Sequence, residues 1–212
     1  GCQALILACN GYGGNPDMVR RHIPEMATAE YFGHPGNQGD AVAWGTALGA
    51  AVKHMGAYQG HGSVASPHGI LITWALMMNG GIQINNQGLR FSNEHRGYSE
   101  QAVDVLAQPE RIARLGVDDR RLTLGREFEE FNLAEAAGAV CHCADPRELA
   151  QAIDVPGEAL TGTLAETAAW AEGDGEDPFG RDFTSQPALT SPLHAIKVTG
   201  ALFHTQGGLE ID

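Results

Sequence analysis

The closing residues of the chain carry the side chains that look most like part of a binding site. A short apolar segment, 202–203, leads into His204 and Thr205 and then into a turn that contains the glycines 207–208. Glycines in such a turn permit a positive φ or allow another group to approach the backbone closely. The segment can therefore present an imidazole and bare peptide N–H groups to a flat ligand. Taken alone, an ordinary β-turn with a histidine is the simpler interpretation.

The start of the chain has the same combination of an apolar segment and a glycine-rich turn. Residues 3–9 form an apolar run, which predicts a strand buried on both faces. The turn 10–14 follows, and Asn15 with Pro16 then predicts the beginning of a helix. Such a strand needs neighbours, so we expect residues 3–9 to pair with the edge 209–212 or with a second chain.

Two further glycine-rich loops carry polar side chains. One ends in Asn37, Gly39 and Asp40, at the entrance of a helix predicted over 40–54. Free N–H groups at a helix entrance can hold phosphate or hydroxyl oxygens, although an ordinary capped helix is the alternative. The other loop places His61 among small residues.

Composition and charge exclude several classes of function. The formal net charge of −13 argues against a nucleic-acid partner. We find no apolar run long enough to span a bilayer and no signal-peptide pattern, and the four cysteines match no disulfide scaffold. A reduced, cytoplasmic protein is the expectation.

Cys141-His142-Cys143 resembles a metal clip, but a zinc site needs a wider cysteine pair and more ligands nearby, so we predict no metal.

The middle of the chain predicts a mixture of helices and strands. Both ends are strand and glycine turn, which suggests a module inserted into a parent domain. The expected elements are a loop over 58–64, partial helix over 67–78, a strand over 82–85 that returns over 89–91, a helix over 99–106, charged surface with helical patches over 111–130, helices over 146–153 and from Pro156 to Trp170, and a strand over 193–198.

Six stretches occur in a characteristic order: LILACNGYGG at 5–14, GNQGD at 36–40, QGH at 59–61, NNQGLRFSNE at 85–94, DPFGR at 177–181 and HTQGG at 204–208. Each is a weak signal alone. Together they cover nearly the whole chain, and they resemble motifs of the flavoproteins related to soluble fumarate reductase and the succinate dehydrogenase flavoprotein.

The resemblance implies an α+β fold in which a substrate-capping domain is flanked by strand-and-glycine-turn pieces of an FAD-binding α/β domain. It places partial FAD-binding domain at 1–60, capping domain at 61–190 and return strands at 191–212. The cofactor of the full-length parent is then FAD. The chemistry is hydride transfer between the flavin and a carbon next to a carboxylate or carbonyl.

The same resemblance assigns site residues. His61, His204 and Thr205 are expected to bind the substrate, because an imidazole donor can stabilise developing enolate charge. Backbone groups are expected to line the flavin in the turns that contain Cys9, Asn10, Gly11, Asn37, Gly39, Asp40, Gly207 and Gly208.

The chain departs from the family at its acid–base residues. Trp74 and Met77 stand where fumarate reductases carry a Glu-x-x-Arg proton relay, and neither can shuttle protons. Direct counting puts Tyr98 at the position of the general-acid arginine, while Arg96 arrives early. We predict that Arg96 or Tyr98 is catalytic. The alternatives are that Arg96 forms a surface salt bridge with Glu94 or Glu100, and that Trp74 and Met77 are core residues.

The family's Gly-x-Gly-x-x-Gly turn is missing, because Pro16 occupies the third glycine position of the nearest match. The chain is therefore expected to be an internal fragment that binds FAD poorly and is inactive alone. The parent's substrate is expected to be a small carboxylate or a larger ketosteroid-like enone. The alternatives are a non-enzymatic binding module derived from the cap and a metal enzyme that uses residues 141–143.

Overall fold

Two long strands, β3 (Tyr58–Ala65) and β8 (Leu193–Thr205), carry the chain between two units. The computed structural model describes residues 3–211. The terminal unit comprises Gly1–His61 with Ala201–Asp212, and the central unit comprises Gly62–Gly200. The remaining elements are α1 (Pro16–His22), β1 (Glu30–Tyr31), α2 (Asp40–Ala47), β2 (Val52–Lys53), β4 (Ile70–Leu71), α3 (Ala75–Met78), β5 (Ile82–Ile84), α4 (Tyr98–Leu106), β6 (Ile112–Asp118), α5 (Asp119–Gly125), α6 (Glu129–Ala136), β7 (Val140–Cys143), α7 (Pro146–Ala152), α8 (Gly157–Ala171) and β9 (Gly208–Leu209).

The central unit is built on a sheet with the strand order β4-β3-β8-β6-β5, and β7 also pairs with β8. Strand β6 runs antiparallel to β8 from Ile112 opposite Thr199 to Asp118 opposite Leu193. The expectation of charged surface over 111–130 was therefore wrong for β6, whereas α5 confirms the helical patches predicted further along the same segment. The alternating residues Ala113, Leu115 and Val117 are fully buried, and this period-2 pattern was hidden between charged neighbours.

Glycine-rich segment 58–64 is strand rather than the predicted loop. Gly62 serves close packing, because a Cβ added there would lie 2.8 Å from the backbone carbon of Gln101 in α4. The return strand predicted over 89–91 is also wrong, since β5 pairs with β6 instead.

Local capping signals were reliable guides to the helices. Asn15 accepts from the N–H groups of Asp17 and Met18 at the start of α1, and Asp145 accepts from the N–H of Glu148 at the start of α7. Both predicted helix starts are confirmed. Helix α2 is shorter than predicted, because it ends before Leu48 and the next residues turn towards β2.

The terminal unit contradicts two expectations about strand pairing. Residues 3–9 form no strand, and Leu5 and Ile6 are 57% and 90% exposed, so no described residue supplies the neighbours that a buried strand requires. The closing edge pairs within the unit, with Leu209 of β9 opposite Val52 of β2. The last residue of the predicted edge, Asp212, lies outside the described residues.

A buried ionic network joins two distant motifs in the central unit. Arg90 contacts Glu94 at 2.7 Å and Asp177 at 2.5 Å, and Arg181 contacts Glu94 at 3.1 Å. The Arg90 guanidinium also lies 4.7 Å from the ring centre of Phe183. Burial opposes ionisation of Glu94, but the hydrogen bonds and charge of Arg90, with the charge of Arg181, hold its pKa below the ordinary value.

Within the described part of the chain, every helix is too short or too polar to cross a lipid bilayer.

Replacement of Glu94 by glutamine is expected to lower the free energy of unfolding by about 3–5 kcal/mol, because it leaves buried arginine charge uncompensated. Urea unfolding measures this loss. The matched control is Asp104→Asn, which breaks the exposed pair with Arg96 and is expected to cost less than about 1 kcal/mol.

Lowering the pH should cause the same loss of unfolding free energy in the unchanged protein. Because the folded-state pKa of Glu94 lies below its ordinary value of 4.5, its stabilisation is complete above that pH and declines as the pH falls further. Equal costs for the Glu94 and Asp104 variants would contradict the importance of the network.

Candidate functional site

The turn after β8 is held by backbone contacts within the terminal unit. The N–H of Gln206 donates to the carbonyl of Ala57 at 2.8 Å. A Cβ added at Gly207 would lie 2.0 Å from the carbonyl oxygen of His54, whereas one added at Gly208 would meet nothing within 4 Å. Gly207 is thus required by close packing of the protein's own backbone, and Gly208 leaves open space beside the chain.

The turn 10–14 lies directly against the end of β8. The N–H of Tyr12 donates to the Thr205 hydroxyl oxygen at 3.0 Å, and a Cβ at Gly11 would lie 2.0 Å from that same oxygen. Asn10, at the edge of this turn, is exposed and adopts a φ of 60°, and its side-chain oxygen accepts from the N–H of Gly11. Cys9, a free thiol, is half-buried immediately before it.

The entrance of α2 completes the cluster. The N–H of Gly39 donates to the carbonyl of Gly11 at 3.2 Å, and the N–H of Gly14 donates to the carbonyl of Asn37 at 2.9 Å. Gly39 has a φ of 86° and no side chain caps the helix that begins at Asp40. The early peptide N–H groups of α2 therefore have no side-chain acceptor among the described residues.

Three of the segments assigned to flavin binding thus converge in one unit, although they are far apart in sequence. They present backbone turns, an uncapped helix entrance and the open position at Gly208. These features suit a flat ligand that carries phosphate or hydroxyl oxygens. The residues present are therefore compatible with the predicted cofactor.

His61 is a buried member of an aromatic stack. Its ring lies 5.3 Å from that of Phe203 with an interplanar angle of 13°, and Phe203 in turn stacks on Phe32 at 5.1 Å. Burial lowers the pKa of His61 to about 4. The imidazole is therefore uncharged at neutral pH.

His204 has a different environment from His61. It follows Phe203 in β8, and consecutive side chains leave opposite faces of a strand. His204 is exposed, while Thr205 is buried. His61 lies on the Phe203 side of β8, and the convergence of His61 and His204 on one ligand stays a prediction.

The predicted acid–base residues lie in the central unit. Arg96 ends a short 3-10 helix and contacts Asp104 at 2.5 Å, and Tyr98 is the first residue of α4 and is 39% exposed. The pairing of Arg96 with Glu94 or Glu100 was wrong, because the Glu94 carboxylate is turned inward and occupied by buried arginines.

The residues at the relay positions are apolar core. Met77 is fully buried and Trp74 is 9% exposed, and both belong to the main hydrophobic cluster of the central unit. The structure thus places no proton-relay group at these two positions.

The Cys141-His142-Cys143 stretch forms β7. The two sulfur atoms lie 3.6 Å apart, and His142 contacts His194 through their Nδ1 atoms at 3.1 Å. Across residues 3–211, no three His, Cys, Asp or Glu side chains are grouped so that they could hold a metal ion. The metal-enzyme alternative therefore has no support in this part of the chain.

The chain belongs to a family of flavin-binding proteins: residues 2–212 match the family described as "FAD binding domain". Its relatives include the "NADH:fumarate oxidoreductase" of Klebsiella pneumoniae (strain 342), 28% identical over 211 residues, and the "Fumarate reductase (cytochrome)" of Shewanella frigidimarina, 27% identical over 210 residues. The predicted family and its FAD cofactor are confirmed. The alignments cover 99% of this chain but only 22% and 36% of those two proteins.

Solved structures show the same fold. The open conformation of a flavocytochrome c3 fumarate reductase superposes with a TM-score of 0.80 at 23% identity, covering 100% of this chain and 37% of that one. The 3-ketosteroid-delta4-(5alpha)-dehydrogenase of Rhodococcus jostii RHA1 superposes with a TM-score of 0.67 at 21% identity, covering 98% and 41%. The predicted mixture of helix and sheet is confirmed.

Sequence analysis missed the aromatic side chains of the terminal unit. Tyr12 is fully buried and its hydroxyl donates to the carbonyl of Met55, while Phe32 and Phe203 stack with His61. The available signal was the alternation of β8, which places Phe203 and Thr205 on the same face of the strand.

His61 is expected to make the protein acid-sensitive. In the unfolded chain a histidine binds a proton near pH 6.5, whereas folded His61 stays unprotonated until about pH 4. The free energy of unfolding is therefore at its full value above pH 6.5 and decreases as the pH falls from 6.5 to about 4. Urea unfolding across this range should show a smaller loss in His61→Gln than in the unchanged protein.

The matched control is His204→Gln, which removes an exposed imidazole and should keep the original acid dependence. An identical loss in His61→Gln and in the unchanged protein would contradict the neutral, buried state of His61.

Proposed function

We propose that the chain is an internal part of a flavin-dependent dehydrogenase or reductase, which transfers hydride between FAD and a carbon adjacent to a carboxylate or carbonyl. The observation that carries the proposal is the convergence of the turns 10–14, 37–40 and 205–208 within the terminal unit. Membership of the FAD-binding family supplies the cofactor. On this proposal the chain alone is inactive, because further segments complete the cofactor site.

The two units then have separate tasks. The terminal unit contributes the flavin-lining turns, and the central unit is the substrate cap. The limits predicted from the resemblance, 1–60, 61–190 and 191–212, differ from these units chiefly at the end of the cap, because the central unit extends to Gly200. The chain spans 22% to 36% of the two curated relatives named above, which is consistent with a part that contains a cap and flanking segments.

Backbone groups hold the cofactor on this proposal. The uncapped entrance of α2 directs N–H groups, and the positive end of its dipole, towards phosphate or ribityl oxygens. The open position at Gly208 lets the flat ring approach the chain. The residues in contact are Cys9, Asn10, Gly11, Asn37, Gly39, Asp40, Gly207 and Gly208. When bound, the flavin supplies the hydride acceptor or donor.

His61, His204 and Thr205 bind the substrate. The Thr205 oxygen already accepts from the N–H of Tyr12 at 3.0 Å, which leaves its hydroxyl hydrogen available to donate to a substrate oxygen. Donors of this kind stabilise negative charge that develops on a carbonyl oxygen during hydride or proton transfer.

Tyr98 is the better candidate for proton transfer at the substrate carbon. A phenol can give or take a proton, whereas a guanidinium stays protonated in proteins. Arg96 is also engaged by Asp104. With Trp74 and Met77 buried as apolar core, the proposed substrate is a small carboxylate or a bulkier enone such as a ketosteroid.

FAD titration, followed by flavin fluorescence, tests the proposal. We expect weak or no binding by the 212-residue chain and stoichiometric binding once the chain is extended at both ends. In the form that binds, Gly208→Ala should weaken FAD about tenfold or more, because its methyl group enters the space assigned to the ring.

The matched control is Gly162→Ala, whose added Cβ also meets nothing within 4 Å but lies on α8. It should leave FAD affinity unchanged. If Gly208→Ala binds FAD as tightly as this control, the turn 206–208 does not line the flavin.

Tyr98→Phe in the FAD-loaded protein should lower kcat about 10²- to 10⁴-fold with little change in KM, since only proton transfer is removed. Turnover is measured with fumarate and with 4-androstene-3,17-dione. Arg96→Gln is the control and should retain most activity. If Arg96→Gln loses activity instead, the arginine is the acid. Failure of the unchanged protein with every CH–CH substrate would favour a non-enzymatic binding module.

A further inference from the structure

Three aromatic rings form a continuous column in the terminal unit. Phe203 occupies the centre, with Phe32 at 5.1 Å and an interplanar angle of 18° on one side and His61 at 5.3 Å and 13° on the other. Phe32 is 41% exposed, whereas His61 is 6% exposed. The column therefore runs from solvent to a buried imidazole.

Strand pairing determines this arrangement. Strand β1 runs parallel to the end of β8, with Tyr31 opposite Leu202, and the N–H of Phe32 donates to the Leu202 carbonyl. Phe32 and Phe203 are thus the next cross-strand pair. Strand β3, which carries His61, is the neighbour of β8 in the strand order. Cross-strand neighbours on one face of a sheet come into side-chain contact.

The stack restricts His61 in two ways. A nearly parallel ring against one face of the imidazole fixes its plane, so the two ring nitrogens can point only along that plane. The phenyl ring also excludes water from that face, and burial lowers the pKa of the imidazole.

We propose that Phe203 is a positioning residue, which holds the His61 imidazole uncharged and in one plane so that it hydrogen-bonds a substrate carbonyl oxygen in preference to a carboxylate. The proposal rests on the substrate-binding role given to His61 above. An uncharged imidazole cannot form the charge-assisted hydrogen bond that would favour a carboxylate. A carbonyl oxygen, in contrast, needs only a correctly oriented N–H donor. Phe203 itself touches the imidazole and not the reacting atoms.

The test uses ¹⁵N-histidine NMR of the protein without added FAD, which reports the protonation and tautomer of His61 independently of cofactor binding and turnover. In the unchanged protein we expect the His61 signals to stay neutral down to about pH 4. Phe203→Leu should raise the midpoint by about one unit or more towards 6.5 and mix the tautomers, because water reaches the ring. Phe203→Tyr keeps the ring and should restore the original signals.

Two further variants keep the result interpretable. Phe91→Leu removes a partly buried ring from the central unit and should leave His61 unchanged. Phe32→Leu removes only the outer ring and should shift the His61 midpoint in the same direction as Phe203→Leu, but by less. This variant keeps the proposal testable even if Phe203→Leu does not fold. Unchanged His61 signals in every folded variant of Phe203 and Phe32 would overturn the proposal.

Ligand binding tests the preference for a carbonyl. Flavin difference spectra at pH 7 should show tighter binding of 4-androstene-3,17-dione than of fumarate, and Phe203→Leu should weaken the enone about fivefold or more while Phe203→Tyr does not. Tighter fumarate binding would overturn this inference. Absence of FAD binding or turnover would instead contradict the proposed function, while the NMR result would stand by itself.

Discussion

The hydrogen-bonded ladder along β8 is the constraint on which both units depend. In the central unit this strand pairs with β6 over seven registered positions, from Ile112 opposite Thr199 to Asp118 opposite Leu193. Its last residues belong to the terminal unit, where β1 pairs in parallel with it. Because side chains alternate strictly along a strand, a shift of one residue would exchange Phe203 with His204 and bury the wrong ring.

The motifs that identified the family are largely structural in the central unit. The arginine and glutamate of the segment 85–94 meet the aspartate and arginine of the segment 177–181 as a buried network of four charges. Buried charges are retained only where they are paired and hydrogen-bonded, so none of the four can be replaced alone without a large cost. These stretches therefore stabilise the fold of the central unit. Their presence supports membership of the family more strongly than it supports any particular substrate.

Local rules predicted what depends on local interactions. The caps at Asn15 and Asp145 and the strand that begins at Leu193 follow from residues close in sequence. Residues 3–9 show where such local rules fail. An apolar run forms a buried strand only if other parts of the protein cover it, and here Ile6 is 90% exposed. Strand β6 shows the opposite error. Its charged flanking residues concealed the alternation of apolar and polar side chains, although this alternation fits the pairing of β6 with β8.

The candidate site was predictable in part for the same reason. Its glycine turns could be recognised singly, but their meeting through Thr205, Gly11 and Gly39 depends on long-range contacts. The reason that each glycine is needed also came only from the structure. Gly207 is required by the carbonyl of His54, while Gly208 has open space beside it. Two identical neighbouring residues therefore meet different physical requirements.

Two observations bear on the proposed substrate class. In the central unit, Trp74 and Met77 are hydrophobic core at the positions where the resemblance places the charged relay of fumarate reductases. In the terminal unit, His61 is buried against Phe203, which favours the uncharged imidazole. A dicarboxylate must exchange its hydration for compensating positive charge on binding, whereas an enone needs mainly apolar contact and a neutral donor. Since the two observations come from separate parts of the chain and share no residue, their agreement favours the enone over the dicarboxylate as the proposed substrate class.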